Sequence, residues 1–274
     1  MTDQGDPLAR IAAALERIVP PDGLTDWQGS PAYSWGRRPP REIDRIEAPL
    51  LDELLAIDVQ KRIVTQNILR LAQGHAAHDM LLWGARGMGK SALLRSGMIA
   101  AQTIHPGAIA LVQVAIDALP RLPDLFAILA KQDRNFLVYM DDLGFAPEDT
   151  AGPRQLRSWL EGGVDARPTN VRLAVTSNRR SIVPREAAEQ SGALNPRDAL
   201  DDALALADRF GLTIGFHNCS RDEYLEIVSR YAATAGLRFE PADALEWAIQ
   251  RGARSGRTAW QYITELAGRA GIAL

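Results

Sequence analysis

Short apolar runs alternate with amphipathic segments through the middle of the chain. The runs are bounded by polar or turn-forming residues, which is the pattern of buried strands, and they lie at 80–84, 110–115, 136–140, 171–177 and 212–216. Helical periodicity fills most of the gaps between them. Strands that alternate with helices favour a parallel sheet covered on both faces. We therefore predict a three-layer αβα domain with a five-stranded parallel sheet at residues 49–218.

The two ends of the chain have different patterns. Residues 1–48 hold a short amphipathic helix followed by a Pro- and Gly-rich arm, in which Trp27, Tyr33 and Trp35 are expected to dock on this chain or on another subunit. Residues 219–274 contain no strand pattern and predict a small domain of three helices. Trp247 and Trp260 fall on apolar faces of these helices and are expected in the core of that domain.

Composition narrows the class of protein. The 274 residues are 46% hydrophobic and 24% charged, as expected of a globular protein, and the net charge of -3 supplies no overall field that attracts nucleic acid. A single cysteine excludes an intrachain disulfide and fits a reducing, cytoplasmic location. No run approaches the roughly 18 to 20 apolar residues that a membrane span needs.

The strongest chemical signal is the stretch "GARGMGKS", which fits G-x-x-x-x-G-K-[ST] between a predicted strand and a predicted helix. Its glycines let backbone N–H groups face phosphate oxygens, and the following helix adds its positive end. Lys90 is expected on the β- and γ-phosphates of ATP, and Ser91 on Mg²⁺. The predicted nucleotide-binding residues here are Gly84, Ala85, Arg86, Gly87, Met88, Gly89, Lys90, Ser91 and Ala92.

Polar side chains end the next strands. The run at 136–140 leads into Asp141 and Asp142, so Asp141 is expected to hold the magnesium and Asp142 to polarise a water beside the γ-phosphate. The run at 171–177 leads into Asn178, whose amide is expected to hold the attacking water or to sense the γ-phosphate. In series with the phosphate loop, these side chains predict an ATP-hydrolysing site.

The series of motifs resembles the AAA+ ATPases over about residues 49–274. The stretches "LLWGARGMGKSAL", "DDLGF", "TSNRRSIVP", "LADRFGLTIGF" and "SGRTA" are similar to a bacterial AAA+ family of unknown function that is related to replication initiators and helicase loaders. The resemblance implies a P-loop NTPase domain followed by a helical lid at 219–274. It also implies a nucleotide-dependent homo-oligomer with an unidentified protein partner.

The resemblance assigns further residues. Arg209 matches the arginine finger that completes the ATP site of an adjacent subunit. Arg257 matches sensor 2, the lid arginine on the γ-phosphate, although Arg254 lies within one turn and stays an alternative. Leu55 and Ile57 occupy the segment that packs on the adenine. Asp141 and Asp142 match the Walker B motif, which usually ends Asp-Glu. The Asp-Asp ending places the second carboxylate further from the water and predicts slow hydrolysis.

Several functions stay open. The leading one is an ATP-driven remodeller or loader of a protein partner. A nucleotide-gated binding module with little hydrolysis is the first alternative, and a P-loop kinase of a small molecule is a weaker one. Kinship with replication initiators leaves a nucleic-acid role open, but the sequence shows no helix-turn-helix after the lid that would support it.

Overall fold

One mixed sheet organises the molecule. The computed structural model describes residues 25–36, 40–145, 151–161, 167–179 and 206–274, together with Leu8, Arg10 and Ile11. Within these residues, seven strands form the sheet in the order β2-β1-β4-β5-β6-β3-β7. The strands are β1 (Ala32–Trp35), β2 (Arg41–Ile43), β3 (Met80–Gly84), β4 (Ile109–Val114), β5 (Asn135–Met140), β6 (Val171–Ser177) and β7 (Leu212–Phe216).

The five predicted strands are all present as β3 to β7, and each pairs in parallel with its neighbour. The prediction that the sheet has five strands was wrong, because the N-terminal arm adds two more. Strand β1 pairs in parallel with β4, and β2 pairs antiparallel with β1. Both strands are too short for a hydrophobic pattern to reveal them, and β1 is extended because the exposed edge of β4 supplies its hydrogen bonds.

The aromatic side chains of the arm dock on this chain itself. Trp27, Tyr33 and Trp35 are all buried. The Trp27 ring lies 4.6 Å from the Tyr33 ring and meets Phe136 of β5 edge-on at 6.2 Å, measured between ring centroids. Beneath them the buried Arg134 donates hydrogen bonds to backbone carbonyls of the arm. These contacts resolve the alternative left open by the sequence in favour of docking within the chain.

Helices cover both faces of the sheet. They are α1 (Asp58–Ala72), α2 (Lys90–Ile104), α3 (Leu122–Leu129), α4 (Ala151–Glu161), α5 (Arg221–Thr234), α6 (Pro241–Gln250) and α7 (Gly256–Arg269). Buried residues of α1, α2 and α5 to α7 share one hydrophobic cluster, and those of α3 and α4 share another with the three aromatic side chains of the arm. No helix in the described part of the chain combines the length and apolar character that crossing a bilayer requires.

The C-terminal helices α5 to α7 form a compact group around buried Tyr224 and Ile263. Ser220 begins α5 by accepting a hydrogen bond from the backbone N–H of Glu223, while Glu223 accepts one from the backbone N–H of Ser220. The core position predicted for Trp260 was wrong, because 49% of this residue is exposed. Its side chain lies on the edge of α7 that faces the loop between β3 and α2.

Candidate functional site

The loop after β3 begins with a glycine that no other residue can replace without displacement. Gly84 has a φ of +125°, and a Cβ on it would overlap the carbonyl oxygen of Phe216 at the end of β7. That same carbonyl accepts a hydrogen bond of 2.8 Å from the N–H of Ala85. The close approach of the two strand ends therefore aims the loop across the carboxyl edge of the sheet.

Two more glycines shape the loop before α2. Gly87 and Gly89 have φ angles of +77° and +83°, in the left-handed region that side chains disfavour. Helix α2 begins directly afterwards at Lys90, so its first backbone N–H groups and its positive end face the space above the loop. This is the arrangement that binds phosphate at a helix N-terminus.

Lys90 is buried, with 7% of its surface exposed. Its Nζ donates to the carbonyl oxygens of Gly84 at 2.7 Å and Ala85 at 2.8 Å, and reaches Oδ1 of Asn178 at 3.4 Å. Burial lowers the pKa of the ammonium, although the nearby carboxylates of Asp142 and Asp141 act in the opposite direction. The loop carbonyls thus hold a positive charge at the floor of the site.

Asp141, after β5, lies against the start of α2. Its Oδ1 accepts a hydrogen bond of 2.6 Å from Oγ of Ser91 and another of 2.6 Å from Oγ1 of Thr176. Burial alone would raise the pKa of Asp141, but the hydrogen bonds from Ser91 and Thr176 lower it. A carboxylate beside a serine hydroxyl offers hard oxygen ligands, so these residues fit Mg²⁺.

Asp142 has an unusual backbone for a residue with a side chain, with a φ of +50°. Its N–H donates to Oγ1 of Thr176 at 2.8 Å, which fixes the turn, and its carboxylate accepts a hydrogen bond from Nδ2 of Asn178. Strained backbone of this kind is typical of functional sites. The structure therefore brings the predicted pair Asp142 and Asn178 into direct contact at the ends of neighbouring strands.

The C-terminal helices reach the loop through the start of α7. The N–H of Arg257 donates to the carbonyl oxygen of Gly87 at 3.2 Å, and a Cβ on Gly87 would lie only 2.7 Å from the Cβ of Arg257. Arg254, the alternative lid arginine, donates instead to the carbonyl oxygen of Cys219 at 3.2 Å. Of the two arginines, only Arg257 lines the space above the loop.

A polar cavity of about 490 Å³ opens where these elements meet. It is lined by Arg86, Gly87, Gly89, Lys90, Ser91, Ala92, Arg95, Asp141, Asp142, Thr176, Asn178 and Arg257. Gly84 and Ala85 lie beneath it, where their carbonyls hold Lys90. Cations, carboxylates and backbone N–H groups around one cavity suit a polyanion with a bound divalent cation.

An apolar cavity of about 490 Å³ adjoins the polar one. The predicted residues Leu55 and Ile57 both line it, together with Met88 of the loop and Tyr231 and Trp260 of the C-terminal helices. The Tyr231 and Trp260 rings meet edge-on with centroids 5.5 Å apart. A flat aromatic base fits between the aliphatic and aromatic walls of such a cavity.

A family model covers residues 28–270 of the chain, and its description is "Protein of unknown function (DUF815)". The chain belongs to the DUF815 family. No curated protein matches the sequence closely enough to count as a relative.

Several solved structures have a fold similar to that of this DUF815 protein. The RuvB Holliday junction branch migration motor of Thermotoga maritima is similar over 81% of this chain and 66% of its own, with a TM-score of 0.52 and 20% sequence identity. The ORC1 protein of Aeropyrum pernix, solved in complex with DNA, is similar over 83% and 63%, with a TM-score of 0.54 and 15% identity. The chain thus spans slightly less than two thirds of the length of either protein.

These matches confirm the resemblance that the motifs indicated. The DUF815 protein has the fold of the AAA+ P-loop ATPases, with a mostly parallel sheet and helices on both faces. At this level of identity the likeness shows the fold. The roles of the individual site residues rest on the geometry of the chain itself.

Arg209 lies outside the cavity of the DUF815 protein. It is half-buried and precedes β7, whose last residue Phe216 pairs with Gly84 at the carboxyl edge of the sheet. Five residues of strand span about 16 Å. Arg209 therefore lies near the amino ends of the strands, and the phosphate loop lies at their carboxyl ends. Its role as an arginine finger stays a prediction that only a second subunit could fulfil.

Sequence reasoning missed several residues that line the cavities, and Arg95, Thr176 and Trp260 are the polar or aromatic ones with the clearest roles. Arg95 lies one helical turn after Ser91 on the same face of α2, and this spacing was the available signal. Thr176 holds both aspartate segments through its hydroxyl, but a threonine inside an apolar strand gives no signal of that role. Trp260 follows Arg257 by three residues, which places both on one face of α7.

Proposed function

We propose that this protein binds Mg-ATP and hydrolyses it slowly at an interface between subunits, and that the cycle drives remodelling or loading of a protein partner. One observation carries the proposal. Lys90, the Ser91–Asp141 pair and the Asp142–Asn178 pair converge on a single cavity, and an apolar cavity adjoins it. A triphosphate and a base joined by ribose match this pair of cavities.

The residues divide the binding between them. The loop N–H groups and the start of α2 would hold the phosphate oxygens, and Lys90 would bind the β- and γ-phosphates. Ser91 and Asp141 would hold Mg²⁺, which when bound neutralises charge that develops on the phosphates. Leu55 and Ile57 would pack on the adenine, as the AAA+ resemblance implies.

The hydrolytic step depends on Asp142 and Asn178. Asn178 would orient a water toward the γ-phosphate, and Asp142 would take its proton. The water oxygen would bond to the γ-phosphorus as the bond to the β–γ bridging oxygen breaks, which releases ADP and phosphate. The carboxylate of Asp142 is already engaged by Asn178, and it is one methylene shorter than the usual glutamate. Both features favour slow turnover, and loss of the contact with Asn178 would relieve only the first of them.

We also propose that residues 219–274 act as the lid of residues 49–218, after an N-terminal segment at 1–48. The contact of Arg257 with Gly87 would transmit nucleotide-dependent movement, with Arg257 rather than Arg254 on the γ-phosphate. Arg209 would enter the cavity of a neighbouring copy, so the active form is a homo-oligomer. We keep the cytoplasm as the proposed location.

A complementation experiment tests the shared site. Lys90→Ala retains Arg209 but loses ATP binding, and Arg209→Ala retains binding but loses the finger, so each is expected to be inactive alone. Mixing the two should restore part of the steady-state ATPase activity through composite sites. The matched control replaces Lys90→Ala with the double variant Lys90→Ala plus Arg209→Ala, which should restore nothing.

Two results would contradict the proposal. Full ATPase activity of Arg209→Ala would remove the role of Arg209. A strictly monomeric protein in native mass spectrometry, with ATP, with ADP and without nucleotide, would exclude a site shared between subunits.

A nucleotide-gated binding module remains the second candidate, because the Asp142 carboxylate is held by Asn178 in this structure. In that case ATP would change the affinity for a protein partner with little hydrolysis. Single-turnover kinetics separate the two functions. A hydrolysis rate that rises on assembly supports the remodeller. Tightly bound ATP that is not hydrolysed in the assembled protein supports the gated module.

A further inference from the structure

Arg95 is a charged residue of the site for which the AAA+ motifs provide no role. It lies on α2 one turn beyond Ser91, is half-buried, and donates from Nε to the carbonyl oxygen of Ser91 at 3.3 Å. Side chains on a helix point toward its N-terminus, so the guanidinium is directed back toward the start of α2. The backbone contact uses one of its five N–H groups and leaves donors for a ligand.

The position of Arg95 between the two cavities is its most informative property. The polar cavity and the apolar cavity share five lining residues, and the charged ones among them are Arg95 and Arg257. Arg95 comes from the sheet side through α2, and Arg257 comes from the C-terminal side through α7. Two guanidinium groups, one from each side of the site, therefore border both cavities.

The net positive charge around the polar cavity also favours a polyanionic ligand. Four cationic side chains line it, namely Arg86, Lys90, Arg95 and Arg257, against the two carboxylates Asp141 and Asp142. Lys90 is held at the floor by loop carbonyls, at the phosphate-loop end of the cavity. Arg95 lines the apolar cavity as well, which Lys90 does not, and its charge helps to lower the pKa of Asp141.

We propose that Arg95 binds the α-phosphate of the nucleotide. This phosphate is the group that joins the ribose to the rest of the triphosphate, so it lies where the two cavities adjoin when the base fills the apolar cavity. The planar guanidinium presents two parallel N–H donors to two oxygens of one phosphate, a fixed bidentate geometry that the ammonium of lysine lacks. The assignment rests on the proposed binding of ATP and adds a residue that contacts ATP and ADP equally.

Equilibrium titration calorimetry with ATP and with ADP, both with Mg²⁺, tests the assignment on the full chain. Arg95→Ala should weaken both nucleotides by a similar factor of about 10 to 100, the range for a lost hydrogen bond to a charged group. Arg257→Ala should weaken ATP more than ADP, because its expected contact is the γ-phosphate. Arg95→Lys should fall between Arg95→Ala and the unmodified protein.

The control is Arg62→Ala, which removes an exposed arginine of α1 outside both cavities and should leave both affinities within twofold. ATP and ADP affinities of Arg95→Ala within twofold of the unmodified protein would overturn the inference, as would a loss confined to ATP. Circular dichroism and the melting temperature without nucleotide show that the variants are folded. If the unmodified protein binds no ATP, or Lys90→Ala binds it equally well, the proposed function itself fails.

Discussion

Two buried cations in this molecule are equally buried and bind the same kind of hydrogen-bond acceptor, but one borders an open cavity and the other is enclosed. Lys90 and Arg134 are 7% and 6% exposed, and burial lowers the pKa of both. Both also donate to backbone carbonyl oxygens. Lys90 binds those of Gly84 and Ala85, and Arg134 binds four, namely those of Trp27, Gln28, Ser30 and Ile109.

What surrounds the two cations separates a site from a structural anchor. Beside Lys90 lies a polar cavity with Asp141 and Asp142, so a ligand can reach its charge. Around Arg134 the docked arm closes the space with Trp27 and Tyr33. A buried, carbonyl-bound cation is therefore no sign of function by itself, and an open cavity with paired acids has to accompany it.

The largest expected effect is on nucleotide binding by Lys90→Ala. Removing a cation that meets two phosphates should weaken ATP about 1000-fold, because each charge-assisted hydrogen bond contributes about 1.5–3 kcal/mol. The melting temperature without nucleotide should change little, because water in the open cavity can hydrate the two carbonyl oxygens that lose their donor. Calorimetric titration and thermal melts measure both, and Lys131→Ala, an exposed lysine after α3, is the control. A loss of ATP affinity below tenfold would mean that Lys90, like Arg134, mainly stabilises the structure.

Arg134→Ala should show the opposite pattern. It leaves four carbonyl oxygens without their donor beneath the arm, which should lower the free energy of unfolding by about 4 kcal/mol. The ATP affinity of the folded fraction should not change. Urea unfolding at equilibrium is the measurement, and Arg134→Lys should recover part of the stability because it restores the charge. A change in unfolding free energy below about 1 kcal/mol would mean that the arm docks without this arginine.

The two tryptophans Trp27 and Trp260 extend the comparison to uncharged residues. Trp27→Ala should lower the free energy of unfolding by about 3 kcal/mol and leave ATP affinity intact, because the side chain is 4% exposed and lies in the core. Trp260→Ala should cost less than about 1 kcal/mol, since the side chain is half exposed, but weaken ATP about tenfold through lost stacking on the base. Equal ATP affinities for the two variants would show that the base does not stack on Trp260.

The smallest expected effect is on the reactivity of Cys219, which lies where the C-terminal helices meet the phosphate loop. It is the sole cysteine, its Sγ lies 3.6 Å from Sδ of Met88 in the phosphate loop, and burial raises its pKa to about 11. Because a raised pKa leaves little thiolate at pH 8, alkylation by iodoacetamide should be slow and accelerate about tenfold per pH unit toward pH 11. Mg-ATP should slow it several-fold further by holding α7 on the loop. Mass spectrometry follows the reaction, and a rate equal to that of free cysteine at pH 8 would contradict the prediction.

The phosphate loop shows how far sequence reasoning reached. Gly84, Gly87 and Gly89 are required by positive φ angles inside one short loop, so their spacing identifies the loop without any distant contact. The pairs Ser91–Asp141 and Asp142–Asn178 were also predictable as a group, because parallel strands end at one edge of the sheet. The hydroxyl of Thr176 between them was not, because its role depends on the register of β5 with β6.

The arm shows where sequence reasoning failed. Strand β1 has no apolar run of its own, and it is a strand because β4 presents an open edge and Arg134 binds the carbonyls before it. The core position predicted for Trp260 was also wrong because it depended on contacts that the sequence pattern does not show. A helical pattern gives the face of α7 on which the residue lies, and only the packing of α5 and α7 against the loop decides that this face borders a cavity.

The sequence by itself determined the five central strands, the phosphate loop and the acids and amide that follow the strands, because each depends on local periodicity or on backbone conformation. The tertiary structure decided which cations are exposed to a ligand and which are enclosed. Lys90 and Arg134 read alike as single residues, and the difference arises from elements far apart in sequence: Asp141 and Arg257 beside one, Trp27 above the other. Burial and charge pairing depend on such distant contacts, which residue order does not specify.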